Sequence, residues 1–133
     1  MDEWVNTSSI LSTSISWLET TNKANSTLDI YRKNYFSTKS GTLAETIFYT
    51  FSNSKVQPDK KNWDWCKIHF DTENYGSLSA KNRRGTAAHE IGHVMGLAHE
   101  NDKTNRIMCQ LGSGRTVSRA SKNELKGINT LYK

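Results

Sequence analysis

An α+β fold follows from three features of this 133-residue chain: a helical apolar spacing near its start, three short β-rich runs in the first half, and two helical stretches in the second. Val5, Ile10, Leu11, Ile15 and Leu18 recur mostly three to four apart, with Trp17 alongside. They predict an amphipathic helix within residues 3–26, although the many Ser and Thr there lower helix propensity. Thr27 to Tyr31 alternates and predicts a short strand. After a loop from Asn34 to Gly41, Thr42 to Phe51 is β-rich, and its polar positions suit an edge strand. Ser52 to Asn62 holds the one proline, Pro58, and predicts a loop. A third strand spans Cys66 to Phe70, and Asn74 to Ser77 turns the chain. A second helix runs from about Ser79 to Met95, Asn101 to Gly114 is irregular, and residues 118–132 form a closing helix around Leu125, Ile128, Leu131 and Tyr132.

Composition narrows the class. The length fits one domain, residues 1–133, without internal repeats. Hydrophobic residues reach only 35% and mean hydropathy is -0.72, so the core is compact. No apolar run approaches the roughly 20 residues that a membrane helix needs. Residues 1–20 lack the basic start and apolar stretch of a secretory leader, so a leader, if the protein is exported, is not in this chain. The net charge of +5 points weakly to nucleic acid. Its tight basic clusters, Lys60-Lys61 and Arg83-Arg84, read more simply as solvated ends or loops, without the aromatic interleaving of a nucleic-acid surface. Cys66 and Cys109 have no metal-site spacing; they are compatible with a disulfide or with two small part-buried residues.

The chemistry is concentrated in His89-Glu90-Ile91-Gly92-His93-Val94-Met95-Gly96-Leu97-Ala98-His99. Helix positions four apart share a face, so the imidazoles of His89 and His93 can converge on one ion. Gly96 is free to take a positive φ, which lets the helix stop and brings His99 back beneath the same metal. Three histidines leave one tetrahedral position for water, the arrangement of a catalytic zinc site. Glu90 stands beside the first ligand, where a carboxylate can take a proton from the metal-bound water during attack and return it to a leaving amine. An isolated His-Glu-x-x-His also arises by chance. Matching five fixed residues does so only about once in three million windows, taking each as roughly 1 in 20.

This segment resembles the signature of the metzincin metalloproteases, HExxHxxGxxH followed by a methionine turn, and Ile107-Met108 stands where that turn belongs. The resemblance implies a metzincin-like α+β fold: a small twisted mixed sheet packed on helices, with the active-site helix and Met-turn in a small lower lobe. It gives Met108 the role of an apolar floor under the zinc. The matrixin branch is the most similar. Gly41-Thr42-Leu43-Ala44 looks like its edge strand, His69-Phe70-Asp71 like the strand before its active-site helix, and Leu125 to Tyr132 like its closing helix. No tyrosine between Met108 and Tyr132 offers the extra ligand of other branches.

The departures also matter. Of the second, structural zinc site of animal matrixins, only His69 remains; Glu45 replaces one ligand, and Tyr35 to Ser40 contains no histidine. One ligand does not hold a structural zinc, so no second zinc is expected and His69 reads as a strand residue. By analogy Asp71 and Glu73 are candidates for a calcium site, although two scattered carboxylates are usually surface charges. The propeptide cysteine switch of the family is missing.

The resemblance further implies an extended peptide or protein substrate, paired as an added strand along Thr42, Leu43, Ala44 and Glu45. The side-chain pocket would be walled by Cys109 to Arg115, with Arg115 either selecting acidic groups or, more simply, solvated. The expected activity is that of a monomeric, secreted zinc endopeptidase with His89, His93 and His99 as ligands and Glu90 as general base. The alternative from another class is a weak or inactive zinc-containing module that captures peptides, against which the intact Glu90 speaks.

Overall fold

The computed structural model describes residue 4, residues 11–36 and residues 40–133, which divide into two compact units. One is Glu19–Leu78; the other joins Met1–Leu18 to Ser79–Lys133.

The first unit is a four-stranded mixed sheet. Its strands are β1 (Leu28–Lys33), β2 (Ala44–Tyr49), β3 (Lys55–Val56) and β4 (Trp65–Asp71), in the order β1-β4-β2-β3. β1 runs parallel to β4, with Leu28 opposite Cys66, whereas β2 is antiparallel to β4, with Ala44 opposite Phe70. β4 reads as a half-buried strand should: Cys66, Ile68 and Phe70 are buried, while Trp65, Lys67 and His69 are half-buried. All three sequence-predicted strands are therefore present. The loop expected over Ser52 to Asn62 contains the two residues of β3, which pair with Phe48 and Tyr49. Asn53 closes that hairpin at φ 61, a left-handed conformation that asparagine tolerates.

The edge-strand expectation needs correction. β2 lies inside the sheet order, and β3 covers its last two residues. Thr42 precedes the strand, and both its backbone groups are engaged: its N–H donates to Ser40 Oγ at 3.2 Å and its C=O accepts from Asn74 Nδ2 at 3.0 Å. Leu43 C=O accepts from the Asp71 N–H. Antiparallel alternation then directs Leu43 and Glu45 towards β4 and turns Ala44 outward. Of the four positions, Ala44 alone keeps the orientation that strand addition requires.

Asp71 is buried at the end of β4, and its carboxylate accepts four backbone N–H groups, from Tyr35 and Phe36 at one oxygen and Glu73 and Asn74 at the other. The Asn74 and Phe36 bonds lead in holding its carboxyl below the usual value. Glu73 accepts from Asn34 Nδ2 instead. Asp71 is thus a loop organiser rather than a calcium ligand, because N–H donors already fill both oxygens. His69 stacks on Tyr35 at 3.9 Å and meets Tyr31 edge-on at 5.9 Å, as a packed strand residue. Lys23, Lys33 and Lys67 lie over the rings of Tyr31, Tyr35 and Tyr49 in this unit.

In the second unit, α1 (Ala80–Val94) is capped by Ser79, whose side chain accepts from the Asn82 N–H, and α2 (Lys122–Leu131) starts in a capping box between Ser121 and Glu124. Trp4, Ile91, Met95, Ile107, Met108, Leu125 and Ile128 are buried. Trp4 is helical, but over residues 11–18 the predicted first helix is not found. Val5 and Ile10 lie outside the described residues. From 11 to 18 burial alternates: Leu11, Thr13, Ile15 and Trp17 are half-buried, while Ser12, Ser14, Ser16 and Leu18 are exposed. Leu18, expected on the apolar face, is 92% exposed. That period of two marks extended chain, favoured by the Ser and Thr content. Asn129 Nδ2 and Ser14 Oγ tie it to α2, donating to Ser12 O and Tyr132 O.

Candidate metal centre

α1 buries an unusual stripe for a helix: Gly85, Thr86, His89, Glu90, Ile91 and Gly92. Most of these are small or polar, so the face was recognised in the sequence by its motif rather than by apolar periodicity. The helix ends as the glycine predicts. Gly96 has φ +87, its N–H donates to His93 O at 2.8 Å, and the Leu97 N–H reaches back to Gly92 O at 3.0 Å. This pair of bonds is a Schellman cap, and it redirects the chain so that His99 returns to the helix.

The three predicted histidines meet. His89 and His93 Nε2 are 3.1 Å apart, His93 and His99 3.0 Å, and His99 and His89 3.2 Å. Among the described residues they form the one group of histidine, cysteine or acidic side chains close enough to share an ion. His89 Nδ1 lies 2.8 Å from Ile107 O and His93 Nδ1 2.8 Å from Leu97 O. A carbonyl can only accept, so both Nδ1 atoms carry the proton and both Nε2 atoms present bare lone pairs. Burial holds His89 down to about 3 and His93 to about 4, and lowers His99, so the set is neutral at pH 7. Bare lone pairs at this separation repel one another unless a cation lies between them. A tetrahedral shell with zinc–nitrogen bonds of roughly 2.0–2.1 Å places its nitrogens about 3.3 Å apart, so donor type and spacing both fit zinc.

A second layer fixes the histidines. Ile107 accepts from His89 through its C=O, and its N–H donates to Glu124 Oε1 at 3.0 Å. Glu124 Oε2 accepts from the Ser121 N–H at 2.8 Å, so the cap of α2 also anchors the turn that orients His89. Met108 is 2% exposed, and a Cβ at Gly92 would fall 2.3 Å from its Sδ. Gly92 is therefore needed for the close approach of Met108 to α1, a role that the metal chemistry of the motif does not reveal. Glu90, on the same helix, is buried.

Two further residues behave differently from expectation. Arg115 is not solvated: it is 7% exposed, with Nη1 donating to Cys109 O at 3.3 Å and Nη2 to Thr86 Oγ1 at 3.1 Å. Gly85 leaves the room for it, and protein acceptors replace water. Cys66 and Cys109 are both free and buried, and burial pushes the Cys66 thiol up to about 12. Glu124, Gly92 and Arg115 were missed as contributors. Only Glu124 carried a sequence signal, the Ser-x-x-Glu capping box at 121–124.

The profile of the family described as Matrixin matches residues 14–133. Stromelysin-2 of Rattus norvegicus is 35% identical over 68 residues, which cover 48% of this chain and 14% of that protein. An extracellular metalloprotease of Neurospora crassa is 37% identical over 59 residues, 43% of this chain and 21% of that protein. The chain therefore spans a minor part of either relative's length. No solved structure matches it significantly.

Proposed function

The chain belongs to the matrixin family, and on that premise we propose that it is a zinc-dependent endopeptidase cleaving peptide bonds of protein substrates. The observation that carries this reading is the convergence of three histidine Nε2 atoms at 3.0–3.2 Å, with a buried glutamate next to His89 in the chain. His89, His93 and His99 would hold the ion, and Met108 would form the apolar floor of the site. Zinc, when bound, supplies Lewis acidity towards the scissile carbonyl and acidifies the attacking water. Glu90 takes the proton of that water and delivers it to the leaving amine nitrogen. Ile107 and Leu97 carbonyls keep the first two imidazoles in the ligating tautomer. The substrate is an extended peptide, with Ala44 on β2 as the position that strand pairing would use. The chain acts as a monomer, with residues 1–133 as one catalytic domain, and an extracellular place is supported by the printed description of the Neurospora crassa relative.

The test is direct. Purified protein should retain one zinc per chain and degrade an unfolded protein substrate, and Glu90→Ala should keep the zinc and lose the cleavage. Wild type that binds zinc yet cleaves no better than Glu90→Ala would leave a peptide-capturing module instead.

A further inference from the structure

A cleft of about 380 Å³ opens in the sheet unit, within the range of roughly 300–1,000 Å³ usual for small-ligand sites. Local bonds hold both of its banks. On one side, Thr50 N–H donates to Ser54 O at 3.0 Å and Asn53 N–H to Thr50 O at 2.9 Å, closing the turn after β2, while Phe51 N–H donates to Asp64 Oδ2 at 2.8 Å. On the other, the short 3-10 turn Lys23–Asn25 is capped by Asn22, whose side chain accepts from the Ala24 N–H at 3.0 Å. Trp65 also lines the cleft. Tyr49 stacks on it at 4.4 Å and its Nε1–H donates to Thr50 O at 3.1 Å, so the indole is fixed in place. Phe51 is 83% exposed. A lone exposed apolar ring is ordinary, but this one sits on a braced turn at a cleft that a second fixed ring also lines.

The polar groups of the lining select the ligand. Lys23 Nζ is 3.5 Å from Asp29 Oδ2 and donates to Tyr31 OH at 2.8 Å, so Lys23 and Asp29 answer one another. With Asp64, the lining holds one cation against two anions, which disfavours an anionic ligand, and the ammonium of Lys23 disfavours a cationic one. That leaves a neutral, polar ligand. Among the described residues, the side-chain amides of Asn25 and Asn53 have no hydrogen-bond partner, and each offers two donors and an acceptor in one plane. An apolar side chain seated here would strip water from these groups and return no hydrogen bond.

We propose that this cleft is a binding site for a neutral saccharide: Phe51 and Trp65 take the C–H faces of pyranose rings, and the amides of Asn25 and Asn53 and the Asp64 carboxylate hold their hydroxyls. A sugar ring suits such a lining because its faces are apolar and its edge carries hydroxyls that both donate and accept. Rings and turns already fixed in the free protein lose little freedom on binding. The cleft belongs to Glu19–Leu78 and the three histidines to the other unit, so saccharide binding does not depend on the endopeptidase reading. Such a site would hold the chain on glycan-bearing material.

The test is titration of the full, zinc-loaded chain with cellohexaose, chitohexaose and maltohexaose, read by calorimetry and by the NMR shifts of the Asn53 amide and the Trp65 indole N–H. At least one of the three should bind with a Kd of about 0.1–5 mM and move both resonances. Phe51→Ala should weaken that binding at least about fivefold, and the exposure of Phe51 means that the variant still folds. Asn53→Gly keeps the positive φ of the turn and removes the amide, and should weaken binding at least about threefold; Asn25→Ala should act alike. Removing the zinc with a chelator should leave the Kd within about twofold, as expected of independent sites. Absence of binding by all three sugars up to about 20 mM would overturn the proposal. So would binding that Phe51→Ala leaves unchanged, binding lost with the zinc, or tighter binding of a heparin hexasaccharide, N-acetyl-phenylalaninamide or N-acetyl-lysinamide. No arm reads peptide cleavage, so a chain that cleaves nothing would sink the endopeptidase reading alone.

Discussion

Asp71 in the sheet unit and Glu90 in the helical unit are both buried carboxylates, and their surroundings oppose each other. Asp71 is enclosed by four backbone N–H donors that keep it ionised and leave it nothing to exchange. Glu90 is buried on the helix that carries two imidazoles of the cluster. The same contrast separates the two units' histidines. His69 lies flat against Tyr35, whereas His89, His93 and His99 turn their Nε2 atoms towards one another. A buried polar group whose partners are all backbone stabilises; one whose partners are side chains aimed at a common point is available for chemistry.

Substitutions can break or sharpen that contrast. The largest effect belongs to Glu90→Gln, which should reduce kcat by about 10²–10⁴ while leaving bound zinc in place, read by steady-state cleavage and metal analysis. Gly92→Ala comes next. Its Cβ would collide with Met108 Sδ, and overpacking of this kind costs roughly 1–3 kcal/mol of stability, measurable by denaturant unfolding. Glu124→Ala should cost about as much or somewhat less, roughly 1–3 kcal/mol, because the N–H of Ile107 and the cap of α2 lose their acceptor together; zinc retention should weaken with it.

Asp71 predicts an acid sensitivity that belongs to the sheet. Its carboxyl is held below the ordinary value, so the folded state binds the proton less readily than the unfolded chain. The stabilisation is fully present above the unfolded value of about 3.9 and is lost as pH falls through the folded one. Asp71→Asn should therefore be less stable than wild type at pH 7, with the gap narrowing below about pH 4; a gap independent of pH would remove the charge from the explanation. The smallest effect is expected at Leu18. At 92% exposure, Leu18→Ser should change stability by no more than about 0.5 kcal/mol, whereas the core face of an amphipathic helix would lose far more.

How much of this was legible depended on the kind of pattern. β4 could be read because alternate residues meet different surroundings along one strand, and α1 because its histidines recur at one helical turn. Residues 11–18 misled because Leu11, Ile15 and Leu18 suit a helical period, while Leu11, Thr13, Ile15 and Trp17 suit a period of two equally well. Thr42 to Glu45 misled for another reason. Local β character says nothing of which neighbours occupy a backbone edge, and Ser40 and Asn74 had already taken Thr42.

The sequence by itself determined the three-histidine constellation, because His89, His93 and the glycine-capped return to His99 are related by helix geometry that needs no distant partner. It also determined three of the four strands and the α+β class. Tertiary structure alone decided why Gly85 and Gly92 must lack side chains, where Arg115 places its charge, and that Asp71 organises a loop instead of holding an ion. Those outcomes depend on contacts between residues about 15 to 36 positions apart in the chain. No local period records such contacts, since packing and the pairing of buried charge are settled only when the segments meet.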